Sequence, residues 1–430
     1  MPSQGRQRGA ATLVVVMVLF LVMALLAAYA NRSLMFEQRV SSSYFRASLA
    51  QEAAEGGVDW TLAQLNGVAI DGACLPVDSG GQRFADRYLD IDPVDRSISP
   101  KPKPKVTDPQ VDCARDEANE GWACRCIATS VARTKPTAMN ATLLAPSFSV
   151  LMKAGARNGT LQLAVVGCTD SVVDQCADSV VSATLSRQQL GKSRVGVLVG
   201  LVGAVRNPPA APLIAKGNLI TSGTGGLGLH NTDPRSAGLL YAIGGTSTGL
   251  VDSRLESVPG TAPNQARVED DNALKLATAD DVFKMFMGAS PAVYPQHPSL
   301  RVVTCGSECS GALDDAYKAG KRILLVQGPL SINSSKVLAS LTDPVLIIAT
   351  GAVTLGGAFQ INGMLVSGGA LTWTGGGAAP ALINGIVLAQ GNVQTTGRMD
   401  IAYQQTVADQ LRNRMGSYVR VPGSWQDANF

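Results

Sequence analysis

Histidine is almost missing from this sequence: two residues in 430, His230 and His297. Neither stands at ligand spacing from a second histidine or a carboxylate, so no metal site is expected. Charge is scarce too, at 16% of residues, and the net balance of +3 is too small for a nucleic-acid footprint. Nucleic acid is therefore not expected among the partners. Aromatic residues make up only 5%, and no proline falls between Pro2 and Pro76. What is plentiful is glycine, with 45 residues, in a chain that is 46% apolar. That combination reads as a sizeable core divided over two or three folding units, built from turn-rich β structure.

Cysteine is present in an even number, eight: Cys74, Cys113, Cys124, Cys126, Cys168, Cys176, Cys305 and Cys309. Most stand in Gly-, Asp- and Ser-rich segments that read as loops, so disulfides in an oxidising compartment are expected. Cys168 with Cys176 and Cys305 with Cys309 would each close a short loop. The other four are open to three connectivities.

From Ala10 to Ala30 run twenty-one residues without a charge, A-A-T-L-V-V-V-M-V-L-F-L-V-M-A-L-L-A-A-Y-A. As a helix they extend about 31 Å, enough to span the hydrocarbon core of a bilayer. Arg6 and Arg8 on the N-terminal flank predict a cytoplasmic N-terminus with the remainder translocated. The apolar run exceeds that of a secretory signal, although Ala28-Tyr29-Ala30 offers a conventional cleavage site. Phe36, Val40, Tyr44, Ala47, Ala50, Ala54, Val58, Leu62 and Leu65 then recur at three- and four-residue steps. One continuous helix to about Leu65 is predicted, with a bend or early end at Gly56-Gly57, because paired glycines weaken a helix by about 1 kcal/mol each.

R-Q-R-G at 6–9, A-A-T-L-V-V-V after it, and Q-E-A-A-E-G-G at 51–57 resemble the N-terminal region of PilX-type minor pilins, over residues 5 to about 67. The resemblance implies a prepilin leader, residues 1–9, cut by prepilin peptidase between Gly9 and Ala10, with Ala10 then N-methylated. It implies a single-pass inner-membrane protein with a periplasmic head, extracellular in the pilus after assembly. Implied partners are other minor and major pilins, the peptidase, the inner-membrane assembly platform and a large tip adhesin; no cofactor is implied. Major pilins carry glutamate at the fifth mature position, where this chain has Val14. A membrane-buried carboxylate costs about 2.5–3.5 kcal/mol and is kept where a neighbour's amine neutralises it. Its absence suits a subunit that primes assembly at the tip.

Beyond a pilin helix over 10–67, the reading is α+β. Residues 68–121 read as irregular, with an extended surface loop at 98–105. Strands at about 122–132, 146–154, 159–167 and 178–188 predict an antiparallel sheet packed on the helix, within a region spanning 68–200. From 201 to 398 the text repeats. Segments centred on Gly328, Gly351, Gly369 and Gly391, spaced 23, 18 and 22 residues apart, align with each other and with earlier copies at 213–220 and around Gly244. Such punctuation predicts a β-solenoid of parallel β-helix type, interrupted by an insertion at about 251–321; a β-sandwich is the rival architecture. Tyr403, Val407 and Leu411 predict a helix capping the last rung within 399–430, and V-P-G-S-W at 421–425 resembles PilX-type tails.

Enzyme chemistry finds little footing. Between Val337 and Gly397 the only charged side chain is Asp343, too few for a rung-borne acid and base. G-T-G-G-L-G at 223–228 matches a dinucleotide fingerprint, but His230 to Pro234 follow where its helix should begin, so it reads as a turn. G-T-S-T-G at 245–249 matches a nucleophile elbow with His297 downstream, inside Gly/Ser/Thr-rich text that produces such matches by chance. Asp90, Asp92 and Asp95 form a solvated acidic turn in preference to a calcium loop. The structural pilin reading leads. Alternatives are a pseudopilin K-like tip subunit of a type II secretion system, a membrane-tethered binding module and a surface hydrolase or lyase.

Overall fold

The computed structural model describes residues 9–103, 109–116, 121–130, 146–169, 191–375 and 381–427. Helix α1, Gly9–Leu65, runs without interruption through Gly56 and Gly57. The expected bend is absent because Gly57 serves packing. A Cβ at Gly57 would lie 2.8 Å from the Phe148 ring and 2.7 Å from Val165. Only a bare backbone can approach the sheet so closely, and the dense packing at this crossing offsets the weak helix propensity.

The sheet that receives α1 is antiparallel, ordered Gly416–Arg420, Lys192–Gly203, Thr160–Cys168, Ser147–Ala154, Val111–Asp116, Gly121–Arg125. Alternation selects its inner face: Phe148, Val150, Met152, Leu161, Leu163, Val165, Val195, Val197 and Val199 share one core with Ala54, Val58 and Leu65 of α1. Two of its strands match the expected runs at 146–154 and 159–167, and Gly121–Arg125 opens the run expected at 122–132. The run at 178–188 lies outside the described residues.

Residues 68–121 are more regular than expected. They hold the short helix Phe84–Tyr88, the paired strands Leu89–Ile91 and Ile98–Pro100, and Val111–Asp116 inside the sheet. Asp112 and Asp116 hide the last strand from a periodicity reading, since both carboxylates are buried and Asp112 accepts a 2.6 Å bond from the Ser149 hydroxyl. Lys103, expected on an exposed loop, is buried with its ammonium 5.8 Å from the centre of the Tyr88 ring.

In the C-terminal half, the repeated runs pair with one another in parallel. Ile323–Val326 lies beside Val345–Ala349, which lies beside Gln360–Ser367, then Ala381–Ala389. A second set, Leu330–Asn333, Val353–Gly356, Leu371–Thr374 and Val393–Thr396, stacks in the same order. Between the two sets lies one apolar core that includes Leu213, Val345, Ile347, Leu365, Val387, Leu371 and Trp373. Uncharged polar side chains also stack in register. Asn384 Nδ2 donates to Asn362 Oδ1 at 2.8 Å, and Asn362 Nδ2 donates to the Ala339 carbonyl at 3.0 Å.

Stacking does not follow chain order. Residues 213–230 dock on 381–402, the last copy, and 241–256 dock outside them. The segment 251–321 is therefore not a plain insertion. Its strands Leu255–Glu256, Arg267–Val268 and Leu300–Val302 extend the parallel sheet at its two ends. Helix Ala279–Met287 covers the outer face through Val282, Phe283 and Met287, while helix Ser310–Lys318 adds Leu313 and Ala316 to the inner core. Tyr403, Val407 and Leu411 do not cap a last rung, because the 381–402 copy is interior to the stack. They lie on the sheet's outer face against Met364, Ile386 and Leu388. The tail beyond them returns to the antiparallel sheet, Gly416–Arg420 and Gln426–Asp427 both pairing with Lys192–Gly203.

Candidate functional site

Helix α1 divides into two halves with opposite environments. Every residue from 11 to 45 is exposed, including an unbroken apolar series from Leu13 to Leu26. Burial begins at Ala50 and continues at Ala53, Ala54, Val58, Thr61 and Leu65, the spacing that keeps one helix face on the sheet. Phe36, Val40 and Tyr44 continue that stripe toward the N-terminus but are exposed. At the other end Asn66 ties the helix to both halves of the molecule. Its side chain donates to the Tyr418 carbonyl at 2.8 Å, accepts from the Tyr418 amide at 2.8 Å, and accepts from the Ser299 hydroxyl at 2.8 Å.

The exposed half is long and apolar enough to cross a membrane. A head-docked helix projecting about 50 Å, of which only about the first 30 Å is apolar, is the arrangement of a pilin-type anchor. Residues 8–59 match the family model described as PilX N-terminal. The chain carries a PilX-type N-terminal segment. No curated protein matches it. Among solved structures, the competence-associated pilin ComZ from Thermus thermophilus is similar at 10% identity, over 89% of this chain and 97% of that one, with a TM-score of 0.21. So low a score carries no argument, and the pilin-like reading rests on the N-terminal segment.

Within this PilX-type helix, Gly9 and Ala10 are part of α1, and Val14 stands on the exposed apolar rod at 58% exposure.

The cysteines are drawn into bridges. Cys113 and Cys124 stand directly opposite each other on adjacent antiparallel strands and are joined, and Cys74 is joined to Cys126, which resolves the connectivity left open by the sequence. Cys305 is joined to Cys309. Cys168 is also disulfide-bonded, while Cys176 lies outside the described residues.

The motifs weighed for catalysis separate in space. G-T-G-G-L-G at 223–228 forms the corner between Leu219–Ser222 and Leu227–His230, with positive φ at Gly223, Gly225 and Gly226, and a strand, not an α-helix, follows it. Ser247 donates to Glu269 Oε1 at 2.6 Å and accepts from the Tyr241 hydroxyl, whereas His297 shares a hydrogen bond with Ser417. Ser247 and His297 thus have separate partners. Asp343 is held by Arg322 at 2.7 Å and Arg83 at 3.3 Å, a partly buried ion-pair cluster that lowers its carboxyl below the ordinary value despite desolvation. Asp92 and Asp95 accept backbone amides of their own turn, and no metal-holding group of three occurs among the described residues.

One cluster was not visible in the sequence. His230 Nε2 lies 2.9 Å from Asp400 and Nδ1 3.0 Å from Glu256, and Arg254 donates to Asp400 at 2.8 Å. The hydrogen bond to Asp400 raises His230 above its ordinary value against the effect of burial. Asp400 lies below its own, as bonds to His230 and Arg254 outweigh desolvation. Asp400 follows His230 by 170 residues, so only the stacking order brings them together.

Proposed function

We propose that this chain is a minor pilin of a type IV pilus, located at the tip and priming assembly, with no catalytic activity. The observation that carries the reading is the PilX N-terminal segment at 8–59 on a helix exposed throughout from residue 11 to residue 45. Val14 supports the tip position: without a carboxylate, the helix has nothing to neutralise the amine of a preceding subunit, so it fits the subunit laid down first. The parallel-stranded body, read as a β-solenoid, adds bulk that a tightly packed shaft would not accommodate. In this reading prepilin peptidase cuts between Gly9 and Ala10, Ala10 is methylated, and the helix crosses the inner membrane once with its N-terminus in the cytoplasm. The head is periplasmic and later extracellular. Its partners are the other minor and major pilins, the inner-membrane platform and a tip adhesin, and the pilus supports adhesion or twitching motility. Immunogold labelling of isolated fibres tests the position. Label at fibre ends, with few fibres after deletion of the gene, is expected; even label along the shaft or wild-type fibre numbers would refute it.

A further inference from the structure

Where the antiparallel sheet meets the parallel body, three arginines from three unrelated stretches converge on one cleft of about 820 Å³. Arg96 comes from the turn between Leu89–Ile91 and Ile98–Pro100. Arg206 follows Lys192–Gly203, and its backbone amide is fixed at 3.0 Å to the Phe286 carbonyl. Arg412 comes from the π-helix Gln410–Arg414. The apolar part of the wall includes Leu201, Met287 and Val293, and no carboxylate lines the cleft among the described residues.

Arg206 and Arg412 are exposed, while Arg96 is half-buried and incompletely partnered. Arg96 donates through Nη2 to the Leu201 carbonyl, but its buried Nε has no partner. Burial, and then the neighbouring Arg412 guanidinium, hold Arg96 below the ordinary arginine value. None of the three forms an ion pair among the described residues, although the same molecule pairs Arg83, Arg254, Arg322 and Arg420 with carboxylates. Like charges gathered in a concave, partly apolar site repel unless an anion enters, and a guanidinium fork matches the geometry of an oxyanion.

We propose that this cleft is a binding site for a small ligand of sugar size carrying phosphate or carboxylate groups. The volume falls in the range of small-molecule sites, and the concavity selects a compact ligand over an extended polymer. The apolar wall would take the uncharged part of the ligand while the arginines hold its oxyanion. This inference does not depend on pilus assembly and survives if the tip position is wrong.

Calorimetric titration of the detergent-solubilised full chain decides it, with inorganic pyrophosphate in one arm and trigalacturonate in the other. One-to-one binding in at least one arm is expected, and the arm that binds identifies phosphate or carboxylate as the recognised group. Arg206→Gln and Arg412→Gln, both on exposed side chains, should each weaken it about tenfold, the effect of one lost charge-assisted hydrogen bond. Arg235→Gln, an exposed arginine outside the cleft, should leave it unchanged. No binding in either arm at millimolar concentration would overturn the proposal, as would affinity unaffected by the double variant. Binding of duplex DNA or a polyaspartate peptide with loss of the small-probe response in all variants alike would overturn it too.

Discussion

Leu213 lies beside Val387 in parallel register, although 174 residues separate them in sequence. The same pairing continues through Ile214 with Leu388 and Ala215 with Ala389. The first repeated run is thus the neighbour of the last, and the chain builds its parallel body outward from the middle, crosses to the far end through 272–302, and returns. Leu213 and Val387 are both fully buried, so truncating each should cost about 1–5 kcal/mol. In a double-mutant cycle of Leu213→Ala with Val387→Ala, followed by urea unfolding, we expect a coupling of about 0.5–3 kcal/mol. Strict additivity would mean that the two runs are not neighbours.

Gly56 and Gly57 make a matched pair of tests. Gly57→Ala drives a methyl into Phe148 and Val165 and should destabilise the head by about 1–3 kcal/mol. At Gly56 the nearest atom would be a Trp122 carbon at 3.8 Å, an ordinary contact, so Gly56→Ala should be neutral or stabilising by up to about 1 kcal/mol. Equal effects at both positions in thermal melts would contradict the helix docking.

Disulfide removal should be ranked by loop length. Cys74–Cys126 closes a separation of 52 residues and Cys113–Cys124 one of 11. The chain-entropy relation gives about 4 and about 3 kcal/mol respectively. Double serine variants of each pair, unfolded in urea, should follow that order. Thiol titration of the denatured, unreduced protein should leave Cys74, Cys113, Cys124, Cys126, Cys305 and Cys309 unreacted.

The His230 cluster predicts a defined pH dependence. His230 is raised when folded, so its contribution is full below its unfolded value of 6.5 and is lost as pH rises through the folded value. Asp400 is lowered when folded, so its contribution is full above 3.8 and is lost as pH falls through the folded value. Both act together between about pH 4 and 6.5. Relative to His230→Gln, the wild-type chain should have its larger Tm advantage at pH 5.5 and a smaller one at pH 8. An advantage independent of pH would show that His230 does not titrate against Asp400 and Glu256.

Processing provides the last test. N-terminal sequencing of the mature protein should begin at Ala10, and Gly9→Val should leave unprocessed precursor on a gel. A mature chain beginning at Asn31 would overturn the pilin reading.

Much of this architecture could be read along the chain because its causes are local. The uncharged run over 10–30 and the three- and four-residue stripe after it specify a long helix, and alternation specifies Ser147–Ala154 and Thr160–Cys168. Glycine-punctuated copies announce short strands that need neighbours, and the cysteine count announces bridges. What a local reading missed was partner-dependent: Val111–Asp116, whose buried carboxylate takes a hydroxyl from the next strand, and Gly57, whose missing side chain makes sense only against Phe148.

By itself, then, the sequence determined the membrane-length helix, the β-rich body and the PilX-type N-terminus, because helix propensity, apolar length and motif text act over neighbouring residues. Only the tertiary structure decided that 213–230 stack on 381–402, that the tail closes the antiparallel sheet, that His230 meets Asp400, and that Arg96, Arg206 and Arg412 share a cleft. Similar runs can pair in several orders with nearly equal hydrogen bonding. In the order adopted, helices 272–276, 279–287 and 405–409 cover the sheet's outer face, contacts among distant surfaces that no short stretch of sequence records.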